Sequence, residues 1–152
     1  MNVAMPKALA GVQPQDVRAL WPYLRPWFEL IEKTSRGRER AEALLRAIEV
    51  ADMQLWIWWP SAEQVKAVCI TEIVVCPAVK ICRIRACVGT DRSEWLAAAL
   101  PTIEAWAAQN GCDVVEPVAR IGWERDLKAL GYRKHHVLMS KALPNEQRFG
   151  RQ

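Results

Sequence analysis

The stretch "VKICRIRACVGTDRSEWLAAALPTIEAWAAQNGCDVVEPVA", residues 79–119, changes from a strand pattern to a helix pattern and back again. Its first part, Val79 to Val88, is rich in β-branched residues and has the length of a strand. Ser93 is a candidate helix N-cap, Gly111 lies just past the helix, and "CDVVEPVA" is predicted as a short buried strand. This order predicts two parallel strands joined by a right-handed crossover.

Two further strand-like runs precede this unit. They are "MQLWIWW" from Met53 and "VKAVCITEIVV" from Val65, and short polar or proline turns follow each of them. Consecutive strands with short links predict a three-stranded antiparallel meander. Before the meander, "PQDVRALWPYLRPWFELIEKT" has apolar residues at helical spacing, interrupted by Pro22 and Pro26. Two short helices or one kinked helix fit that pattern, and a second helix is predicted after Gly37.

The end of the chain predicts one more helix and one more strand. "GWERDLKALG" reads as a short helix closed by Gly131, and "YRKHHVLMSKAL" reads as a last strand. We therefore predict an N-terminal tail (residues 1–14), a single domain (15–142) and a polar C-terminal tail (143–152). The fold class is α+β with a mixed sheet: N-terminal helices, the meander, a β-α-β crossover, a short helix and a final strand.

Composition excludes several classes of function. The chain has 152 residues, a net charge of +4 and no dense run of Lys and Arg, so a nucleic-acid partner is not expected. No apolar run approaches the ~20 residues of a membrane span, and the start does not resemble a signal peptide. Five cysteines without C-x-x-C spacing indicate reduced thiols in the cytoplasm. His135 and His136 are adjacent and would face opposite ways on a strand, so no metal site is expected.

The order of elements resembles that of the GNAT acyltransferase superfamily, whose members use acetyl-coenzyme A. The local likeness is strongest in "VARIGWERDLKALGYRKHHVLMSKAL", which is similar to that family's last helix and its "GF" or "GY" ending. The stretches "WPYLRPWFELIEK", "MQLWIWW", "ITEIVVCP" and "GWERDLKALGY" are similar to small GNAT-like proteins of tailed phages and prophages. The resemblance covers residues 15–142.

This resemblance implies a cofactor loop between the third meander strand and the long helix. The family's loop reads R/Q-x-x-G-x-G/A, and its glycines let backbone N–H groups wrap a pyrophosphate. Here the junction reads "VGTDRSEW", with Gly89 as its one glycine and with Asp91 and Glu94 adding negative charge. We expect these acidic and hydroxyl residues to cap the helix rather than hold a phosphate. The cofactor-binding candidates that the resemblance gives are Val88, Gly89, Thr90, Arg92 and Ser93.

The resemblance also implies a general acid that this chain lacks. Many family members carry a tyrosine five residues before the aromatic of "GF", which protonates the departing thiolate. Counting back from Tyr132 reaches Leu127, which cannot donate a proton. The asparagine often found seven residues earlier falls on Arg120. Both substitutions argue against ordinary acetyl transfer.

Glu72 is the candidate catalytic base, because it is a carboxylate inside an apolar strand. If Pro77 and Ala78 form a two-residue turn, Glu72 lies opposite Arg83, whereas a four-residue loop would place it opposite Arg85. Either register puts Glu72 on the same sheet face as both arginines. We expect an ion pair that keeps Glu72 ionised. The alternative use of Arg83 and Arg85 is a binding site for an acidic substrate.

Two functions follow from these observations. The first is a catalytically degenerate GNAT-fold protein of phage or prophage type, without a cofactor, that acts as a virion or assembly component through contacts with other proteins. It would lie in the host cytoplasm or in the virion. Exposed members of the chain's eight tryptophans would support it, since tryptophan is enriched at interfaces. The alternative is a divergent acetyl-coenzyme A-dependent N-acyltransferase.

Overall fold

A five-stranded sheet organises the chain. The computed structural model describes residues 9–60 and 64–144, and the strands lie in the sheet in chain order. They are β1 (Leu9–Val12), β2 (Gln54–Trp58), β3 (Ala67–Val75), β4 (Lys80–Gly89) and β5 (Val114–Pro117). The pairs β1–β2, β2–β3 and β3–β4 are antiparallel, whereas the pair β4–β5 is parallel. The predicted meander and the parallel crossover pair are therefore confirmed.

The turn between β3 and β4 decides between the two registers left open by the sequence. The N–H of Cys76 donates to the carbonyl of Val79 at 2.9 Å, which leaves Pro77 and Ala78 as a two-residue turn. Glu72 consequently lies directly opposite Arg83.

The described residues contain four α-helices: α1 (Val17–Thr34), α2 (Ala41–Glu49), α3 (Arg92–Gln109) and α4 (Glu124–Ala129). Short 3-10 turns at Pro14–Asp16 and Ile121–Trp123 precede α1 and α4. Of the two alternatives for the first helical stretch, the structure has one helix, which continues through Pro22 and Pro26. Each proline removes one helical N–H donor, but the helix is retained because its apolar face is anchored in the core.

The helices α1 and α2 cover one face of the sheet. Leu24 and Phe28 of α1 and Leu45 of α2 are fully buried there, and each such side chain contributes about 1.5–3 kcal/mol by leaving water. The sheet contributes alternate residues of its strands to this core, as a pleated strand requires. These sheet residues are Leu55, Ile57, Val68, Ile70 and Val88.

The helix α3 covers the opposite face. Its Trp106 packs edge-on against Trp56 of β2, with ring centroids 5.4 Å apart. The indole N–H of Trp56 donates to the hydroxyl of Thr71, which in turn donates to the side-chain carbonyl of Gln54. Thr71 is fully buried and is satisfied by these bonds, so the polar group adds specificity to an otherwise apolar layer.

At both ends of the described chain, the structure differs from what the sequence pattern predicts. Leu9–Val12, which the pattern places in an N-terminal tail, pair with β2 as an edge strand. The last strand predicted over residues 132–143 is absent from the described structure, where residues 133–144 have no regular secondary structure. Four residues suffice for β1 because β2 supplies its hydrogen-bond partners. Residues 1–8 and 145–152 of the two predicted tails lie outside the described residues.

The chain divides into two compact units, residues 1–119 and 120–152, within the stretch that the sequence pattern treats as one domain. The first unit holds the sheet and α1 to α3, and the second holds α4. Gly131 ends α4 as predicted, and the N–H of Tyr132 donates to the carbonyl of Leu127 at 3.0 Å.

Among the described residues, the helices are too short or too polar to cross a membrane.

Ala51 supplies a test of the helix-ending geometry. It follows α2 with a φ of 64°, a left-handed conformation that favours glycine, and its N–H donates to the carbonyl of Ile48. We expect Ala51→Gly to raise the free energy of unfolding by about 0.5–1 kcal/mol in urea denaturation, because the strain of an L side chain is removed. Gly111, which follows α3 at the matching position with a φ of 76°, gives the reverse control: Gly111→Ala should destabilise. A loss of stability in Ala51→Gly would contradict this account.

Candidate functional site

A β-bulge in β4 shapes the centre of the candidate site. Ile70 pairs with Ala86 and Thr71 pairs with Ile84, so Arg85 is an extra residue on β4. A bulge bends its strand and redirects a side chain. Arg85, two residues after Arg83, lies on the same sheet face as Glu72, whereas Ala86 and Val88 beyond the bulge change faces.

Arg85 is held by two carboxylates. Its Nε and Nη2 donate to Glu39 at 2.7 and 3.1 Å, and its Nη1 donates to Glu72 at 2.7 Å. The hydrogen bonds that Arg85 donates, first to Glu39 and second to Glu72, raise the pKa of Arg85 above its usual value. The expected ion pair of Glu72 is therefore confirmed, although its partner is Arg85 rather than Arg83 opposite. Sequence reasoning missed Glu39, since nothing in the sequence links the loop before α2 to β4.

Arg83 has a different carboxylate. Its Nη2 lies 3.8 Å from Glu116 of β5. Both arginines of the predicted acidic-substrate site are thus already paired with carboxylates of the chain, and this arrangement gives that prediction no support.

The last part of β4 extends beyond β5. The strand β5 pairs with residues 81–84 only, and the N–H of Val118 makes the final bond to Ile84. From Arg85 to Gly89, β4 pairs with β3 on one side and with no described strand on the other. A strand edge of this kind can form hydrogen bonds with an extended ligand.

The loop after β4 is fixed by its own backbone. The N–H of Thr90 donates to the carbonyl of Lys66 at 2.9 Å, and its carbonyl accepts the indole N–H of the fully buried Trp95 at 2.8 Å. Val88 points into the core under α1 and α2, so only its backbone faces the loop. These contacts make the loop a rigid element that leads directly into α3.

Gly89 is required by the sheet itself. A Cβ added there would lie 2.5 Å from the Cβ of Ala67 and 2.7 Å from the carbonyl oxygen of Lys66. Real Cβ atoms do not approach other atoms this closely, so β3 and β4 can pair here only if the residue is glycine. The one glycine of the candidate loop is thus explained without a ligand.

The start of α3 does not follow the predicted capping. The N-cap is Asp91, not Ser93, and the Asp91 side chain makes no capping hydrogen bond. Asp91 adopts a left-handed conformation with a φ of 53°, which directs its side chain away from the geometry of an ordinary cap. The prediction that these side chains cap the helix is wrong. Arg92 and Ser93 lie in the first turn, where N–H groups and the helix dipole favour an anion.

The charges around this helix start nearly balance. Asp91 and Glu94 are negative, Arg92 is positive, and the Nζ of Lys66 lies 3.8 Å from the Glu94 carboxylate. Lys66 was not predicted, because it precedes Glu94 by 28 residues and reaches it only through the β3–β4 pairing. It offsets part of the repulsion that Glu94 would exert on a bound anion.

Cys87 and Cys82 are not activated nucleophiles. Cys69 and Cys87 lie opposite each other on β3 and β4, and burial together with the Cys69 thiol raises the pKa of Cys87 well above its usual value. Burial likewise raises the pKa of Cys82 to about 11. A high pKa keeps a thiol protonated and unreactive at neutral pH.

The described residues also contain no cluster of His, Cys, Asp or Glu that could hold a metal ion.

The second unit contains Leu127, the position at which the resemblance implies a general acid. Leu127 lies in α4 and is buried, so an aliphatic side chain occupies that helix position. Arg120 lies before α4 and Tyr132 lies after it. The phenol of Tyr132 is therefore not at the helix position that Leu127 occupies. The described α4 therefore offers no proton donor there.

Comparison with known proteins identifies the fold. No protein-family model and no curated protein matches the sequence. Among solved structures, an aminoglycoside acetyltransferase from an uncultured soil metagenomic sample is similar at 14% identity, with a TM-score of 0.68, over 92% of this chain and all of the other. A second metagenomic aminoglycoside acetyltransferase, solved with sisomicin, has 10% identity and a TM-score of 0.66, covering 90% and 95%. A Trypanosoma brucei acetyltransferase has 13% identity and a TM-score of 0.63, covering 89% and 98%. The chain has the GNAT-like α+β fold that the sequence predicts.

The close approach at Gly89 gives a direct test of its structural role. We expect Gly89→Ala to lower the free energy of unfolding by about 1–3 kcal/mol, because β3 and β4 must separate to admit the methyl group. Gly122→Ala is the matched control, since the new methyl group there meets no described atom within 4 Å and should change stability by less than about 0.5 kcal/mol. Equal effects in urea denaturation would refute the structural role.

The Arg85 cluster provides a second test. Arg85→Ala leaves Glu39 and Glu72, whose side chains are only 11% and 17% exposed, without their shared cation. We expect a loss of about 1–3 kcal/mol in thermal or urea unfolding, between the values for exposed and buried pairs. Arg85→Lys should recover only part of it, because one ammonium group cannot replace a bidentate guanidinium. Arg25→Ala, which breaks the exposed pair to Glu29, is the control and should cost less than about 0.5 kcal/mol.

Proposed function

We propose that this protein binds an acyl-coenzyme A and transfers its acyl group to an amine. The observation that carries the proposal is the continuity of two binding features in an acetyltransferase fold: the free edge of β4 runs directly into the uncapped start of α3. An extended, polar ligand that ends in a pyrophosphate suits that path. In the reaction, the amine nitrogen attacks the thioester carbonyl, the C–S bond breaks, and the amine loses a proton.

The first-turn amides of α3 are the proposed pyrophosphate site. The dipole of this 18-residue helix favours an anion at its start, and Arg92 adds a full positive charge. Asp91 and Glu94 oppose the anion, with Lys66 offsetting part of the Glu94 charge. Because these positive and negative charges nearly cancel, we expect weak binding, with a dissociation constant in the micromolar range or higher.

The free edge of β4 is the proposed site for the ligand's amide-containing arm. Residues 85–89 pair with β3 on one side only, so their outward N–H and C=O groups suit an arm that itself carries amides. Val88 and Gly89 contribute here through their backbone, since the Val88 side chain is buried and Gly89 has none. Thr90 and Ser93 complete the candidate set at the bend into α3.

The source of the proton for the departing thiolate differs from that in GNAT acyltransferases that carry a tyrosine at the position of Leu127. Leu127 cannot protonate the departing thiolate, so the proton comes from water or from the attacking amine itself. Glu72 is the candidate to accept the amine proton, and its carboxylate accepts a hydrogen bond from Arg85. A carboxylate paired in this way is a weak base, and we propose a slow transferase.

The alternative role, a phage-type virion or assembly protein, gains no support from the described residues. All eight tryptophans are at least partly buried, so none of them marks an exposed interface. Phage origin stays an expectation from the resemblance alone.

Calorimetric titration with acetyl-coenzyme A at low salt tests the proposal. We expect binding that Arg92→Glu weakens about thirtyfold, since reversing the charge costs about 2 kcal/mol against an anion at ~4 Å. Asp91→Asn should strengthen binding about fivefold, because it removes a negative charge while asparagine tolerates the left-handed backbone. Arg46→Glu, at an exposed arginine of α2, is the charge-matched control and should leave affinity unchanged.

Two results would overturn the proposal. One is the absence of heat up to millimolar acetyl-coenzyme A. The other is binding that responds equally to Arg92→Glu and Arg46→Glu, because that would reflect net charge alone. Given binding, release of free coenzyme A in the presence of simple primary amines would establish transfer.

A further inference from the structure

Cys69 of β3 and Cys87 of β4 lie directly opposite each other. They are register partners in the antiparallel pair, and no other two cysteines are register partners in the described strands. Both carry free thiols, and Cys69 is buried whereas Cys87 is partly buried. The fold therefore brings together two thiols that are far apart in the sequence.

The neighbouring hydrogen bonds show what kind of strand pair these cysteines form. Partners in an antiparallel ladder alternate between those that exchange backbone hydrogen bonds and those that do not. The N–H of Thr90 donates to the carbonyl of Lys66, so those two residues form a hydrogen-bonded pair. Three positions back along β4, the pair of Cys69 and Cys87 is consequently a non-hydrogen-bonded one. The close approach that requires Gly89 occurs at the adjacent pair of the same kind.

Side chains come closest at a non-hydrogen-bonded pair. The Cα atoms of such partners are about 4.5 Å apart, and a disulfide spans Cα separations of about 4.4–6.8 Å. Burial, and then a hydrogen bond with the Cys69 thiol, raises the pKa of Cys87, so the two thiols are in contact. A disulfide can therefore form here without a change in the strand pairing.

The two thiols differ in their access to solvent and in their charged surroundings. Cys87 is partly exposed, and the positive charge of Arg92 favours its thiolate form. Cys69 is only 2% exposed and lies on β3, between β2 and β4. A small oxidant therefore reaches Cys87 first, and Cys69 is the second thiol to react.

We propose that Cys69 and Cys87 form a reversible disulfide when the protein meets a peroxide. The Cys87 sulfur attacks a peroxide oxygen, the O–O bond breaks, and water leaves as the thiol becomes a sulfenic acid. The Cys69 sulfur then attacks the Cys87 sulfur, the S–O bond breaks, and the departing hydroxyl takes the Cys69 proton to form a second water. Both sulfurs are oxidised, both peroxide oxygens are reduced to water, and a small dithiol reverses the change.

The disulfide locks the last part of β4 to β3. It lies between the bulge at Arg85 and the close approach at Gly89, in a part of β4 that pairs with β3 alone among the described strands. The crosslink closes the loop from residue 69 to residue 87 and so restricts the unfolded chain. Oxidation is therefore expected to stabilise the fold and to suppress local opening of β4. Burial of the pair keeps its reaction slow, since few of its thiols are ionised at neutral pH.

Peptide mass spectrometry on the full chain after overnight treatment with hydrogen peroxide tests the pairing. We expect peptides crosslinked through Cys69 and Cys87, which dithiothreitol separates again. The oxidised protein should melt about 5–10 °C above the reduced protein.

Two cysteine variants separate this disulfide from general oxidation. Cys87→Ala should abolish both the crosslink and the rise in melting temperature. Cys76→Ala removes another partly buried cysteine, at the turn between β3 and β4, and should retain both effects. The crosslink in the wild-type chain is informative even if a variant fails to fold.

Hydrogen exchange tests the lock itself. By the same alternation, the N–H groups of Ala86 and Val88 point toward β3. We expect these amides to exchange about tenfold more slowly in the oxidised protein than in the reduced one, because the crosslink suppresses opening of the strand pair.

Any of four results would overturn the inference. The first is that both thiols stay reduced in millimolar peroxide, and the second is that Cys87 becomes a sulfinic acid while Cys69 stays reduced. The third is a disulfide that joins Cys87 to a different cysteine or to a second chain. The fourth is a rise in melting temperature that Cys87→Ala leaves unchanged. None of these results bears on acetyl-coenzyme A binding, so failure of this proposal is distinguishable from failure of the proposed function.

Discussion

The pairing of β3 with β4, with one extra residue at Arg85, is the constraint on which both faces of the sheet depend. A strand with strict alternation would place Ile84 and Val88 on the same face. The bulge reverses the alternation, so Ile84 lies opposite Thr71 under α3, and Val88 enters the core under α1 and α2. Removing the extra residue would exchange the two faces of β4 beyond this point.

The same part of β4 sets the electrostatics of the site. Arg85 shares the face of Glu72 through the ordinary alternation from Arg83, and Glu39 from the loop before α2 reaches the same guanidinium. A cation between two carboxylates ties the loop, β3 and β4 together. The two arginines that the sequence offers for binding an acidic substrate, Arg83 and Arg85, are both engaged in ion pairs within the chain. The positive charge on this face of the sheet is therefore largely neutralised by carboxylates of the protein itself.

The fold and the activity rest on different observations. The likeness to acetyltransferases at 10–14% identity concerns the path of the backbone, and function belongs to the residues along that path. The proposed cofactor site rests on the backbone of β4 and of the start of α3. The side chains around it are less favourable: Asp91 has a left-handed conformation, Leu127 replaces the proposed acid, and Gly89 is explained by its close approach to Ala67. We therefore infer binding from backbone geometry and expect modest affinity and rate.

The sequence by itself determined the meander, the crossover and the helix endings, because these depend on local periodicity and on turn residues such as Pro77 and Gly131. Its two-residue-turn alternative also gave the register of Glu72 correctly. The tertiary structure alone decided the partner of Arg85, the strand at Leu9–Val12 and the irregular backbone of residues 133–144. Each of these depends on residues far apart in sequence: a bulge is visible only in the pairing of two strands, and an edge strand exists only where another strand has backbone groups to share.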